Sequence, residues 1–533
     1  VTKKLALYLL LFFLVPLSFI PFRGLWAPDE ARYARVAAEM KEAGSLVVPK
    51  LNGALYAEKP PLFFDLAVLA SLFSKSVPEY AVKIVSLLSS LLVALLLAAI
   101  GKKFGLKDAA LPVIFLLGMP RFLWQAQFGQ IDMLLCALVY LQFYFGLSLL
   151  EDDKGTFRNV LLLGLSSFLA IVSKGPAGVL PALIVLVAFA FIFGYEKRVA
   201  AAGGALAVTL ILSAAWLAAA GVIAGWDYPK SLLFRQTVTR YLDPWHHYAP
   251  WHYYLTVMWG DGFPVILFLI PVLTLVIRKK ELRDKRWLFP LLVIIVWLLF
   301  FSVSSAKRSV YILPIYPAAA LLVSFAAEKW RDGEWDKRGL KLISAAALLV
   351  FAAATILASA TGRIPAEFTG LRIPLVAGLA VYLAAALVSL LLLIRKDRFA
   401  PQLFAAASCI FMLATGLPVV RALDPVKTPY ALAGALKPKL SGDHKLAVFG
   451  SLVPSVNYYL GTTTRVFSEK EQEEAADFIA EGGYLLIERE ELEKSGLKEM
   501  PAAWKGKIGG SDYLVITAKE GPKPETGSGD RNP

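Results

Sequence analysis

Charge and cysteine are both scarce in this chain. Of its 533 residues only 18% are Asp, Glu, Lys or Arg, and two are cysteine, Cys136 and Cys409. Both cysteines lie inside apolar runs, which excludes a disulfide framework and a thiolate metal site. A soluble chain of this size would carry far more charge. Its place is taken by apolar residues, which make up 57% of the chain and give a mean hydropathy of +0.61. The apolar stretches are long and unbroken rather than weakly alternating, which excludes an outer-membrane barrel. The formal net charge is +14, but the basic residues sit in short loops between apolar stretches. That placement speaks of membrane topology and excludes a nucleic-acid partner.

The apolar stretches are of helix-spanning length and predict an α-helical polytopic membrane protein. With Lys3 and Lys4 inside, about thirteen spans follow, near 5–22, 81–100, 109–124, 131–150, 159–173, 177–194, 199–224, 254–277, 287–303, 309–327, 339–360, 373–394 and 401–421. The first lacks a small-residue cleavage site and is read as retained. Leu62 to Phe73 is too short to cross and is left at the outer surface. In this threading every strongly basic loop, from Lys102 and Lys103 to "RKDR" at 395–398, falls on the inner side.

After Asp424 the chain turns charged and mixed. Strand-like runs occur at 445–450, 483–489 and 512–519, and "EKEQEEAADFIAEGG" (469–483) reads as a helix ended by glycines. The expected organisation is therefore a transmembrane domain over 1–423 with outer catalytic loops at 23–80 and 225–253. A small soluble α/β domain over 424–520 and a disordered tail over 521–533 follow. The soluble domain has no phosphate-cradling glycine loop.

The unusual polar residues gather on the outer side. Asp29, Glu30, Arg32 and Tyr33 follow the first span, and Glu58 and Lys59 stand in "YAEKPPLFFDL". Asp132 opens the fourth span, "RYLDPWHHYAPWHYY" (240–254) fills a long loop, and Lys307, Arg308 and Tyr311 lie in "SSAKRSVYILP". Ionisable groups at the bilayer edge are costly and commonly functional. Each also has a plain structural reading. Asp29 and Glu30 would complement the start of an amphipathic surface helix whose apolar face holds Tyr33, Val36, Ala37 and Met40. Arg32 and Arg35 on that helix would keep Asp29 company or meet lipid headgroups. Lys59 and Arg308 would snorkel, and the aromatic loop would form a belt at the headgroups. Asp132 is the exception, because a carboxylate opening an apolar helix wants a partner.

In order and spacing, "WAPDEARYARVAAEM", "EKPPL", the Asp that opens the fourth span, "HYAPWHYY" and "AKRSVYILPIYPAAALL" resemble the bacterial aminoarabinose transferases and their protein O-mannosyltransferase-like relatives in the C-type membrane glycosyltransferases. The resemblance implies the C-type fold and an inverting enzyme of the bacterial inner membrane. Such an enzyme moves a sugar from a polyprenyl-phosphate carrier to an envelope acceptor on the periplasmic face. It implies that Asp29 and Asp132 are the catalytic carboxylates and that Lys59 meets the carrier phosphate. Arg240 and Tyr311 would be further phosphate-side contacts, and Lys307, Arg308, Glu30, Arg32 and Tyr33 would line the substrates. Glu58 and His247 would hold a zinc ion, and no organic cofactor is implied. The expected acceptor is lipid A or a related glycolipid. A protein hydroxyl acceptor is the second reading, and a transporter or flippase of lipid-linked sugar the third, disfavoured because the charges cluster in outer loops rather than at mid-bilayer.

Overall fold

The computed structural model describes residues 2–151, 156–233, 248–304, 306–335, 372–395, 400–440, 445–498 and 500–518. The chain divides into a helical unit (Val1–Ile20, Ala57–Phe63, Lys83–Val419) and a mixed unit (Pro21–Tyr56, Phe64–Val82, Val420–Pro533).

The protein is a multi-pass helical membrane protein. Among the described residues seven helices are long and apolar enough to cross a bilayer, or eight if a bent pair counts as one. The expected count of about thirteen meets identifiable breaks. The 109–124 stretch splits into Leu111–Leu117 and Pro120–Ala126, because proline lacks an N–H and pushes Met119 out of the helical region to φ −112°, ψ 93°. The 254–277 stretch becomes Tyr253–Asp261 and Val265–Arg278, bent by 112° at a break that contains Pro264. Leu180–Ile192 has 13 residues, and Ile315–Arg331, which opens after Pro314, has 17. The 339–360 stretch lies outside the described residues.

Close helix packing in this unit depends on small residues, as expected where lipid tails compete with side chains. The Thr156–Lys174 helix lies against Ile131–Glu151 and Glu196–Ala224. At Gly164 a Cβ would stand 2.8 Å from the Ala205 carbonyl and 2.7 Å from Val208. Thr209 Oγ1 donates to the Gly164 carbonyl at 3.1 Å across the same contact. Ion pairs join basic loops expected on the inner side: Lys4 to Asp108, Lys107 to Asp332 at 2.8 Å, and Lys285 to Glu151 at 3.0 Å.

The mixed unit is built around the Asp29–Ala43 helix and a five-stranded sheet. Asp29 and Glu30 occupy the first turn of the helix, where they meet the positive end of its dipole, and Gly44, at φ +61°, ends it. The helix is not the amphipathic surface element expected. Arg35 and Glu39 on its polar side are also buried. Burial is possible because they neutralise each other at 2.8 Å, while Glu39 also accepts the Asn52 and Gly53 N–H groups at 2.8 and 2.9 Å. Arg35 is thus engaged with Glu39 rather than with Asp29. Those two N–H groups sit at the turn of a hairpin made by β1 (Lys50–Leu51) and β2 (Ala54–Leu55).

The sheet contains β3 (Leu446–Phe449), β4 (Arg465–Phe467), β5 (Tyr484–Glu488), β6 (Ala502–Ile508) and β7 (Ser511–Ile516), in the order β4-β3-β5-β7-β6. β3 runs parallel to β4 and β5, whereas β7 runs antiparallel to β5 and β6. The three expected strands are β3, β5 and β7. β6 and β4 were not expected; β6 turns into β7 at Gly509 and Gly510, whose φ angles are +68° and +106°.

The first long loop is part of this unit. Asn52 accepts from the Thr464 N–H and from Asn457 Nδ2, both at 2.8 Å, and donates to the Thr464 carbonyl at 2.8 Å. Asp424 accepts from the Gly24 N–H at 2.7 Å and Trp26 Nε1 at 3.0 Å. Gly24 is required there, because a Cβ would lie 2.6 to 2.8 Å from Tyr430, Tyr459 and Thr428. Beside it Arg23 and Glu30, both with 0% side-chain exposure, form a bidentate pair, one arm of which is Nη2 to Oε1 at 2.7 Å.

Glu30→Ala strands the Arg23 guanidinium without solvent, and a loss of about 3 to 5 kcal/mol is expected. Thermal unfolding of the purified variant in detergent measures it; an unchanged midpoint would refute the pairing. A second outcome concerns Asp65 in the Leu62–Ala70 helix. Its Oδ1 is shut from solvent with no hydrogen-bond partner, and burial pushes the carboxyl from the usual 3.8 up to about 7. Between those values the folded chain holds a proton that the unfolded chain has lost, so this contribution to stability falls as pH rises from about 4 to about 7. Asp65→Asn should flatten that part of the stability–pH curve and raise the midpoint at pH 8.

Candidate active site

In the helical unit three sequence segments converge. Asp132, 8% exposed at the start of the Ile131–Glu151 helix, forms an ion pair with Lys174 at the end of the Thr156–Lys174 helix. The same ammonium lies 4.3 Å from the centre of the Tyr311 ring. Asp132 therefore has the partner its position demanded, and Lys174 is a site residue that the sequence reading missed. The available signal was a lysine ending an apolar helix just before the Gly175–Pro176 break, with no acid near it in sequence.

Two of the quoted motifs also meet here. Tyr248 and Ala306 form an isolated β-bridge, and Lys307 Nζ donates to the carbonyls of Ala249, at 3.1 Å, and Ser304. Lys307 is 5% exposed, and desolvation lowers its ammonium below its ordinary value. It stands between two cavities. One, of about 340 Å³, is lined by Arg121, Trp124, Gln125, Phe128, Gln130, Tyr253, Lys307, Arg308, Ser309 and Val310. The other, of about 520 Å³, is lined by residues 248–251, Ser302, Val303 and Lys307. In the 248–254 segment Tyr248 and Trp251 are exposed while Tyr254 is fully buried.

Lys59 is half-buried, with Nζ 3.1 Å from the Glu58 carbonyl, and the Glu58 side chain is exposed. Arg240 and His247 lie outside the described residues. Among the described residues no three His, Cys, Asp or Glu side chains are grouped to hold a metal. Of the two residues expected to hold zinc, Glu58 is described and His247 is not.

In the mixed unit Asp29 is 4% exposed, and Arg32 Nη2 donates to its Oδ1 at 2.7 Å. Tyr33 is buried, its ring edge-on to Phe64 with centroids 5.6 Å apart. Glu30 was expected to line the substrates. It has no exposed surface, and its oxygens are taken by Arg23 and, at 3.0 Å, by the Trp26 N–H. One residue on from Asp29, it anchors the helix start.

The fold and these clusters define a multi-pass membrane protein with cation-lined cavities in its helical unit and a carboxylate-bearing helix in its mixed unit. More particularly, residues 58–218 match the family of dolichyl-phosphate-mannose-protein mannosyltransferases. The undecaprenyl phosphate-alpha-4-amino-4-deoxy-L-arabinose arabinosyl transferase 1 of Sodalis glossinidius is 30% identical over 346 residues, 62% of this chain and 60% of that protein. The corresponding transferase of Aeromonas salmonicida is 30% identical over 383 residues, 65% of each chain. The aligned part thus spans about 60% of the length of the first of these relatives. The crystal structure of ArnT from Cupriavidus metallidurans bound to undecaprenyl phosphate has the same fold, with a TM-score of 0.78 at 20% identity over 98% of both chains. The archaeal oligosaccharyltransferase AglB from Archaeoglobus fulgidus is a looser likeness, with a TM-score of 0.54 at 12% identity over 91% of this chain and 70% of that one. These likenesses bear out the resemblance read from the motifs, and the fold is the one seen in ArnT.

Asp132→Asn or Lys174→Met leaves the other member of a largely desolvated pair unmatched, and each single variant should lose about 1.5 to 3 kcal/mol of stability. The double variant should recover most of that loss, because neither charge remains to be solvated. Melting curves of the wild type and the three variants decide this; additive losses would mean that the two groups do not interact.

Proposed function

We propose that the protein is an inverting glycosyltransferase of the aminoarabinose type, taking a sugar from undecaprenyl phosphate and placing it on a phosphate of lipid A. The observation that carries this reading is the meeting of the 248–254 and 304–311 segments around Lys307, beside the Asp132–Lys174–Tyr311 cluster. The fold and the names of the relatives support it. The proposed location is the bacterial inner membrane, crossed about thirteen times, with the chemistry and the C-terminal domain on the periplasmic side.

A carrier phosphate must stop at the membrane interface while its isoprene chain stays among the helices. Lys59, Arg240 and Tyr311 are proposed to hold it there, with charge-assisted hydrogen bonds that strengthen as the sugar departs and negative charge grows on the phosphate. A phosphate is already a competent leaving group, so no acid need protonate it. Asp132 acts through Lys174, keeping that ammonium beside the Tyr311 ring. Attack comes from the opposite face of the sugar, and Asp29 is proposed as the carboxylate that serves the reaction. A lipid A phosphate is anionic near neutral pH and needs no general base. Asp29, steadied by Arg32, then orients the sugar or binds its ammonium. The zinc ion that the resemblance implies at Glu58 and His247 would have one described ligand, and no step of the proposed transfer passes through it.

The family match over residues 58–218 favours one second reading, transfer to a protein hydroxyl. There Asp29 would be a general base and the rate would fall in acid. Reconstituted protein given labelled carrier-linked sugar should label lipid A and leave serine- and threonine-rich peptides unlabelled; the opposite pattern would replace the first reading by the second. Asp29→Asn should cut transfer about a hundredfold or more while carrier binding persists, because misplaced reactants lose the advantage of orientation. Label in neither acceptor would defeat both.

A further inference from the structure

The Leu62–Ala70 helix is apolar at every position but Asp65, and the fold covers only part of its surface. Phe63, Phe64 and Ala67 are fully buried, whereas Leu69 and, in the loop that follows, Leu72 and Phe73 are exposed by 58%, 60% and 105%. Three large apolar side chains bared at one tip form a patch that contact with water disfavours. The tip is also held in place. Lys41, in the last turn of the Asp29–Ala43 helix, donates to the Ser71 and Ser74 carbonyls, each at 2.6 Å, and to Ser71 Oγ at 3.1 Å, which matches the three hydrogens of an ammonium. Further along, Tyr458 donates to the Val77 carbonyl at 2.8 Å and Tyr430 to Glu79. Side chains that folding leaves bare are thus presented on a fixed backbone.

The covalent chain identifies what meets them. The Glu79–Lys103 helix, one of those long and apolar enough to cross a bilayer, starts six residues after Phe73. Six residues reach at most about 20 Å even when fully extended, so the tip stays close to the bilayer edge. Lys75 and Tyr80, both exposed, flank it with residue types that sit at the level of lipid headgroups. We propose that Leu69, Leu72 and Phe73 form a wedge that enters the hydrocarbon edge of the bilayer, and that Lys41 clamps this wedge to the far end of the helix that begins with Asp29. Lipid contact then anchors that helix at the end away from its carboxylate. The wedge does not depend on the transferase reading.

The full chain is reconstituted in vesicles of phosphatidylethanolamine and phosphatidylglycerol, with a nitroxide label on Leu72→Cys, Phe73→Cys or Lys75→Cys in turn. Cys136 and Cys409 are buried, and protein without an added cysteine measures any label that they take up. Power saturation then compares collisions with oxygen, which concentrates in hydrocarbon, and with a nickel chelate, which stays in water. The ratio of oxygen to nickel access should be several-fold higher at positions 72 and 73 than at 75. Equal ratios at all three would overturn the wedge. Shielding of 72 and 73 from both reagents, with spin–spin broadening that disappears on dilution with unlabelled protein, would also overturn it, because a second copy of the chain would then be the occupant. Lys41→Met, combined with Phe73→Cys, should sharpen the spectrum and shift the label toward water; an unchanged spectrum and depth would overturn the clamp. The labels at exposed positions 72 and 73 report depth in otherwise unaltered protein, so the wedge is decided even where the Lys41 variant fails to fold.

Discussion

Arg23 and Glu30 lie side by side with their side chains fully buried, and taking both charges out of water is tolerable only because each meets the other through two contacts. The consequence reaches well beyond two side chains. Glu30 also binds the Trp26 N–H, while Asp424, far away in sequence, binds the Gly24 N–H and the Trp26 indole. The stretch from residue 23 to residue 30 is thereby fixed from both sides, and with it the start of the helix that carries Asp29. Where low dielectric surrounds a charge, an unsatisfied partner costs more than a satisfied one gains, so such a cluster enforces one arrangement.

The helical unit obeys the same rule in another form. Each described ionisable group of the site has a specific answer to its own burial: Asp132 has Lys174, Arg121 has Asp261 and neutral oxygens, and Lys307 has carbonyls. These answers differ in what they leave over. A carboxylate–ammonium pair is neutral, whereas a lysine held by carbonyls keeps its full charge and its appetite for an anion. The neutral pair steadies a tyrosine, and Lys307, held among the described residues by carbonyls, borders two cavities.

Much of the site was legible because its residues break a strong local pattern. Asp132 interrupts an apolar run, Lys307 and Arg308 stand between two apolar helices, and Asp29 follows the first span at a proline. Arg121, Gln125 and Gln130 escaped because each is ordinary in its own neighbourhood; the break at Met119 and Pro120 that turns them toward one cavity is a feature of three-dimensional packing. Glu30 is placed unlike its neighbour. Adjacent to Asp29 it looked like a second site acid, but successive helix residues point about 100° apart, and Glu30 turns into the scaffold.

The sequence by itself determined the class of molecule, because apolar runs of bilayer length and basic loops of one polarity have few other uses. It also determined three of the five strands in the C-terminal sheet, since strand and turn signals are local. Only the tertiary structure decided that the first long loop and the chain after residue 420 form one unit, because the hydrogen bonds from Asn52 to Thr464 and from Gly24 to Asp424 join residues some four hundred positions apart. It alone gave Asp132 its partner as well. Lys174 lies 42 residues away, and although its place at the end of an apolar helix marks it locally, only the packing of two helices shows which charge it meets.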